Sequence, residues 1–194
     1  MGASTTKTEI VSSETEALIL VNERDEPVGH LDKSACHNGA GVLHRAFSLF
    51  IFNAKGELLL QQRAANKRLW PNFWSNSCCS HPRQGESMEL AVERRQQQEL
   101  GLNAELTYLY KFQYQAAFQD IGSENELCSV YLGRSDREPT INTTEISAWR
   151  WISPAELNEM FVKEPASLTP WFKMEWQTLR QNHHQELVGF SPGA

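Results

Sequence analysis

Three imidazoles and two carboxylates in this chain are of the types and spacings that hold a metal ion. His37 and His44 stand seven positions apart and flank the loop Asn38-Gly39-Ala40-Gly41, and His81 follows the adjacent thiols Cys78 and Cys79. Glu124 and Glu126 are two positions apart, so on a strand both carboxylates point to the same side. Like charges placed this way repel unless a cation sits between them. Three histidines and two glutamates make a borderline-hard donor set that suits Mn2+, Mg2+ or Zn2+. Any one of these histidines alone reads equally well as a surface or satisfied core side chain. His183 and His184 have no such company and are expected on an exposed helix tail.

The densest chemistry lies in Asn76–Leu102, NSCCSHPRQGESMELAVERRQQQELGL. A helix is predicted from about Ser87 to Leu100, stopping at Gly101, the usual residue for a left-handed cap. Met88, Ala91, Val92, Arg95 and Glu99 share one face. An apolar stripe that ends in an arginine and a glutamate needs partners for those charges, or a metal and an anion. The plain reading of Glu99 is a helix-end carboxylate paired with Arg95. A basic group (Lys33, Arg63, Lys67, Arg95) is scattered along the sequence, and each member alone would be a solvated surface charge. Cys79 alone reads as a buried structural thiol, Tyr114 as a strand aromatic in the core, and Trp171 as the anchor of a helix start.

The elements that must position these groups follow from the order of the chain. Met1 to about Glu16 is polar and reads as a disordered tail, the domain as 17–187, and 188–194 as a C-terminal tail. Strands are predicted at Ala17–Asn22, Val28–Asp32, Leu43–Phe52 and Glu57–Arg63, with a hairpin turn at Asn53-Ala54-Lys55-Gly56. Further strands fall near Ala104–Ala116, Glu126–Gly133 and Ile146–Ile152, with a loop over Phe118–Asn125. Ser153-Pro154 starts one helix, and Pro170–Leu187 forms the last. A mixed sheet flanked by helices results, an α/β fold.

The balance of 18 basic and 24 acidic side chains excludes a typical nucleic-acid binder. An anionic substrate needs a local basic cluster against this acidic background. The four cysteines include an adjacent pair that is poorly placed to bridge itself. No secretory segment or membrane-length apolar run is present, which points to a reduced cytoplasmic protein. No Gly-x-Gly-x-x-Gly run suggests a flavin or nicotinamide.

The central stretch resembles a Nudix box, a loop-helix-loop that holds a divalent cation against a diphosphate. Glu86, Arg94, Glu99, Gly101 and Leu102 match its pattern, Ser80 replaces the leading glycine, and Arg95 and Gln98 stand where hydrolases carry two metal-binding glutamates. The run Trp74-Ser75-Asn76-Ser77-Cys78-Cys79-Ser80-His81-Pro82 and the triplet Glu124-Asn125-Glu126 are similar to those of the type I isopentenyl diphosphate isomerases. The resemblance runs from about Ala17 to Trp171 and implies a Nudix-like α/β/α sandwich.

It also implies roles. His37, His44, His81, Glu124 and Glu126 would form a Mn2+, Mg2+ or Zn2+ site. Glu99 and the Cys79 backbone carbonyl would hold Mg2+ on a diphosphate gripped by Lys33, Arg63, Lys67 and Arg95. Cys79 and Glu126 would exchange protons with the substrate, Tyr114 would hydrogen-bond the glutamate, and Trp171 would close over the site. The register of the motif selects Cys79 and leaves Cys78 at a variable position. An apolar wall from Phe47, Trp70, Trp74 or Trp171 would shield a cationic intermediate. The partner implied is a small isoprenyl diphosphate, with no nucleic acid or membrane, for a monomer or weak homodimer. Two rivals remain open: a Nudix hydrolase of a nucleoside or other diphosphate, and a non-catalytic binding domain stabilised by zinc on Cys36, Cys78, Cys79 and His81.

Overall fold

A computed structural model describes residues 6–190. In chain order it contains β1 (Ala17–Val21), β2 (Pro27–Asp32), α1 (Lys33–Cys36), β3 (His44–Phe52) and β4 (Leu58–Arg63). The short β5 (Trp74–Ser75) and β6 (Cys78–Ser80) precede α2 (Met88–Leu100). Then come β7 (Glu105–Phe118), β8 (Gly122–Arg134), β9 (Ile146–Ile152), α3 (Pro154–Lys163), α4 (Pro170–Asn182) and α5 (His184–Val188).

The strand β3 is the axis of the sheet. It pairs parallel with β8 from His44↔Glu126 to Phe52↔Arg134, and antiparallel with β6 through Ser48↔Cys79. A strand covered on both faces should be apolar throughout, and β3 is: only His44, Arg45 and Ser48 interrupt it. Its side chains alternate between two cores. Phe47, Leu49 and Ile51 pack with Ala91, Val92 and Leu100 of α2. Ala46, Phe50 and Phe52 pack with Leu157 of α3 and with Trp171, Phe172 and Trp176 of α4. The result is the helix-sheet-helix sandwich.

The helix α2 is punctuated as its sequence predicts. Ser87 Oγ accepts from Leu90 N, and Gly101 closes the helix in the left-handed conformation at φ 63°. Arg95 and Glu99 are both buried within the apolar face.

Three segments differ from expectation. Residues 7–16 are not a free tail: Lys7 bridges to Asn142, and Val11 is buried with its carbonyl accepting from Arg95 Nη1 at 2.5 Å. Glu14 pairs with Lys33 at 3.0 Å. Composition misjudges this segment because its partners are charged side chains brought from distant elements. Met1–Thr5 lie outside the described residues, as do 191–194. The expected loop over Phe118–Asn125 is a tight turn within the β7–β8 hairpin, so Glu124 lies on a strand paired with Ala116. The last helix breaks at His183, whose ring stacks on Tyr110, and Phe190 packs on Phe52, so the chain is still packed three residues past the expected boundary at 187.

Candidate active site

Strand register brings the site together. The parallel pairing sets His44 beside Glu126, and the β7–β8 ladder sets Tyr114 opposite Glu126. His37 caps α1, and its carbonyl accepts from Ser123 N at 3.0 Å. This approach requires glycine at position 122, where a Cβ would stand 2.3 Å from the His37 carbonyl oxygen. His81 follows β6 into the same space.

One donor atom from each of His37, His44, His81, Glu124 and Glu126 lies within 4.8 Å of every other. His37 Nε2 faces His44 Nε2 at 3.3 Å, His81 Nε2 is 2.8 Å from Glu126 Oε1, and His37 Nε2 is 3.0 Å from Glu124 Oε2. Glu124 Oε2 is nonetheless buried without a well-formed hydrogen bond. His44 Nδ1 lies 2.7 Å from the Val42 carbonyl, which fixes the proton there and leaves Nε2 as a lone pair facing inward. Burial holds His44 down at about 4 and His81 well below its usual range, so both are neutral at neutral pH. Neutral imidazoles around an under-satisfied carboxylate fit a divalent cation. Burial and the neighbouring Glu124 charge push Glu126 well above the usual carboxylate range when no cation offsets them.

The thiol of Cys79 enters from the other side. Its S–H donates to Asn76 Oδ1 at 2.8 Å, and Trp171 Nε1 donates to the sulfur at 3.2 Å. Asn76 cannot turn over, because its Nδ2 donates to the carbonyls of Leu49 and Cys78 at 3.2 Å each. Burial, then the Glu175 charge, push the thiol far up, so it carries its proton at neutral pH. Cys78 points to the opposite face of β6, into the core under α2. Tyr114 Oη donates to Glu126 Oε2 at 2.6 Å.

Beyond the thiol the cavity becomes cationic, lined by Lys33, Arg63, Lys67, Arg68 and Arg95. Lys33 Nζ donates to Ser12 Oγ at 2.8 Å and Glu14 at 3.0 Å. Lys67 pairs with Glu145 at 2.6 Å, and Arg95 pairs with Glu99 and lies 3.7 Å from Glu145. The Arg63 guanidinium donates to the carbonyls of Leu69 and Trp70 and lies 5.2 Å from the Trp171 ring centroid. Ser12, Glu14 and Glu145 line the cavity but stood out in no sequence pattern. Glu145 sits in an irregular run after β8, and Ser12 and Glu14 sit in the segment expected to be disordered.

The apolar wall is narrower than expected. Trp171 lines the cavity, and Trp70 packs edge-on against it at 5.2 Å. Phe47 does not line the cavity and packs instead in the core under α2. Trp74 packs under Arg150 instead. Cys36, Cys78, Cys79 and His81 are not gathered into one group: among the described residues, His81 is the one member of this set that joins the cluster able to hold a metal. No helix among the described residues is long and apolar enough to cross a membrane.

A carboxylate-bearing helix beneath a cationic cavity, set in a mixed sheet between helical layers, defines the Nudix class. Residues 42–172 match the family model of the NUDIX domain. DR0079 from Deinococcus radiodurans superposes with a TM-score of 0.67 at 29% identity, covering 82% of this chain and 96% of that one. A MutT protein from Methanosarcina mazei shares the fold with a TM-score of 0.59 at 19% identity, covering 73% and 95%. Among curated proteins, "Isopentenyl-diphosphate Delta-isomerase 1" of Photorhabdus laumondii is 46% identical over 174 residues, 89% of this chain and 99% of its own length. The Burkholderia multivorans isopentenyl-diphosphate Delta-isomerase is 43% identical over 157 residues, 81% and 89%. The chain belongs to the isopentenyl-diphosphate Delta-isomerase family within the Nudix superfamily.

Proposed function

We propose that the protein interconverts isopentenyl diphosphate and dimethylallyl diphosphate, and that the cavity between Cys79 and Glu126 is where it does so. The observation that carries this reading is the placement of a proton-bearing thiol and a hydrogen-bonded carboxyl around one cavity with a cationic end. The diphosphate is gripped by Lys33, Arg63, Lys67 and Arg95, which line the cationic end of the cavity. The isoprenyl tail then reaches the thiol and the carboxyl.

The reaction moves one double bond. One of Cys79 and Glu126 delivers a proton to the terminal alkene carbon, and a tertiary carbocation-like centre develops beside it. The other removes a proton from the neighbouring allylic carbon, and that electron pair forms the new double bond. In the reverse direction the two exchange roles. Tyr114 orients Glu126, and Trp171 orients the thiol and presents an indole wall to the developing charge. The wall also keeps water from the cation.

His37, His44, His81, Glu124 and Glu126 would hold a divalent cation, Mn2+, Mg2+ or Zn2+, which supplies the positive charge that sets the acidity of Glu126. Glu99, with the Cys79 backbone carbonyl, would hold Mg2+ at the diphosphate end, where one or two carboxylates commonly suffice. No flavin or nicotinamide takes part. We place the protein in the cytoplasm, as a monomer or weak homodimer, in keeping with its four free thiols.

A hydrolase reading is disfavoured by two residues of α2. Arg95 brings a cation where a metal-binding glutamate would be needed, and Gln98 turns to Arg94 at 3.2 Å. Proton NMR of isopentenyl diphosphate with the protein and Mg2+ in D2O decides the matter. Dimethylallyl diphosphate carrying solvent deuterium, absent with Cys79→Ala, is the expected result. Unchanged substrate, or release of inorganic phosphate, would sink the reading.

A further inference from the structure

His37 is the one proposed metal ligand whose place no strand sets. His44 lies on β3, Glu124 and Glu126 lie on β8, and His81 directly follows β6. His37 instead closes α1, a helix of four residues. A helix that short does not hold its own shape, so its position depends on what it docks against. It docks against the β7–β8 hairpin, near the end that carries Glu124. Ser123 N donates to the His37 carbonyl at 3.0 Å, and Ser123 Oγ donates to the Gly39 carbonyl at 2.7 Å. Gln115 Nε2 donates to the Ala40 carbonyl at 2.5 Å. These contacts meet the chain at His37 or after it, and none of them reaches back into α1.

Arg68 does reach α1. It sits in the loop between β4 and β5 and lines the cavity. Its Nη1 donates to the Ser34 carbonyl within α1 at 2.9 Å. Its Nη2 donates to Asn38 Oδ1 at 2.6 Å and to the Ile121 carbonyl at 3.0 Å, in the turn between β7 and β8. One planar fork therefore joins the helix before His37, the residue after it, and the turn three residues before Glu124. All three acceptors are neutral, and Arg68 has no carboxylate partner among the described residues.

We infer that Arg68 is a positioning residue for the metal site: it locks α1 to the β7–β8 turn and so holds His37 against Glu124, where Nε2 and Oε2 are 3.0 Å apart. The inference rests on the reading of the five side chains as a divalent-cation site. What Arg68 contributes is geometry, since the charge of a guanidinium repels a nearby cation. The rival role is a further grip on the diphosphate. Both N–H groups of Nη2 are already used on the fold, and turning the guanidinium to an anion would break three hydrogen bonds.

The test titrates Mn2+ into the metal-free full chain without substrate, with free Mn2+ read by electron paramagnetic resonance, for the parent, Arg68→Lys, Arg68→Met and Glu124→Gln. The parent and Glu124→Gln examine the underlying reading separately. A parent that binds no Mn2+, or a Glu124→Gln that binds it as tightly as the parent, removes the site itself and the inference with it. Where the site stands, Arg68→Met should bind Mn2+ about tenfold more weakly, the low end for losing a group that orients a ligand. Arg68→Lys should fall nearly as far, because lysine keeps the charge and loses the fork. Removing a neighbouring cation would by charge alone tighten the binding, so the sign of the Arg68→Met change separates geometry from charge. With Mn2+ saturating, KM for isopentenyl diphosphate and the inhibition constant of inorganic pyrophosphate should stay within about twofold in both variants. The inference is overturned by Mn2+ binding that is unchanged or tighter in Arg68→Met, by full affinity in Arg68→Lys, or by a loss that tracks a lowered melting temperature of the metal-free protein. It is also overturned if KM and the pyrophosphate constant rise at unchanged Mn2+ affinity, which would make Arg68 a diphosphate ligand. If Arg68→Met does not fold, Asn38→Ala decides, because it removes one of the three acceptors at an exposed position. It should weaken Mn2+ binding about threefold, the worth of one hydrogen bond, and an unchanged affinity refutes the clamp.

Discussion

Tyr114 Oη donates to Glu126 Oε2 at 2.6 Å, while the other carboxylate oxygen faces His81 Nε2 at 2.8 Å. Both oxygens are therefore fixed, and Glu126 can turn only by breaking one contact. Glu126 is 7% exposed, so the lost contact would not be replaced by water. A hydrogen bond to a charged group is worth about 1.5–3 kcal/mol, so Tyr114→Phe should lower kcat by about 10- to 100-fold. KM should change little, because the phenol is remote from the diphosphate cations. Steady-state kinetics check this, and a rise in KM at constant kcat would show that Tyr114 binds substrate instead.

The adjacent thiols should separate cleanly. Cys79→Ala removes the proposed reacting thiol and should cost at least about 10²-fold in turnover, the low end for a positioned proton donor. Cys78 is fully buried on the other face of β6, among the residues packed under α2. Cys78→Ala should leave kcat within about twofold and lower stability by about 1 kcal/mol, the cost of a small buried cavity. Turnover and urea midpoints of the two variants, measured together, assign the thiols. Equal activity losses would mean that the motif register has been misread.

Two parts of the candidate site are written in local patterns, whereas the roles of Cys79, Tyr114, Trp171 and the four basic side chains are implied only by the resemblance to the isomerase motifs. The Glu124/Glu126 alternation needs only a strand to put both carboxylates on one side, and the α2 stripe needs only a helix to bring Arg95 and Glu99 together. The order of strands and helices reads as a mixed sheet flanked by helices, and the resemblance sharpens this to the α/β/α sandwich. What could not be read depends on long-range partners. Glu145 meets Lys67 across 78 residues, and Glu14 meets Lys33 across 19. Glu175 looks like one polar residue in a helix with mixed faces, and its burial beside Cys128 comes from how α4 docks. The tail was misjudged for the same reason: a polar segment without an apolar stripe becomes ordered only when buried cations elsewhere use its carbonyls.

Removing divalent cations should cost stability as well as turnover. The five side chains proposed as ligands already lie together in the fold, so a cation held by them would bind the folded chain and not the unfolded one. At about 100-fold excess over the dissociation constant such a ligand adds about 2.7 kcal/mol. Exhaustive chelation should lower the melting temperature by several degrees, and restoring Mn2+ should recover it. The same treatment of Glu124→Gln should give a much smaller shift. Calorimetry with and without metal checks this, and an identical shift in both proteins would place the stabilising cation elsewhere.

Truncation tests the packed N-terminal segment. Deleting residues 1–12 removes the Val11 carbonyl from Arg95, whose guanidinium is 2% exposed, and Ser12 from Lys33. Leaving a buried charged donor unsatisfied costs about 1–3 kcal/mol, so the truncated protein should unfold at lower urea. KM for the diphosphate should also rise, because Lys33 and Arg95 lose contacts that hold them in the cavity. Denaturation and kinetics of the truncated chain check both effects, and a protein unchanged in both would restore the view of this segment as a free tail.

Glu86 gives a pH-dependent test of the turn that precedes α2. Its carboxylate receives Arg94 Nε at 2.6 Å and Nη2 at 2.7 Å, together with Arg83 N at 3.0 Å. Burial alone would raise its pKa, but the Arg94 hydrogen bonds and the backbone donor override this and hold it below the usual range. A lowered folded value means that the stabilisation is fully present above the unfolded value of about 4.3 and is lost as pH falls through the folded one. Glu86→Gln should therefore be destabilised by about 1–2 kcal/mol near neutral pH, a figure at the low end for charged hydrogen bonds because the pair is partly solvated. Below the folded value the parent carboxyl is protonated too, and the gap should close. Urea midpoints of both proteins across the acid range check this. A gap that stays constant down to the acid limit would show that Glu86 acts through packing and not through its charge.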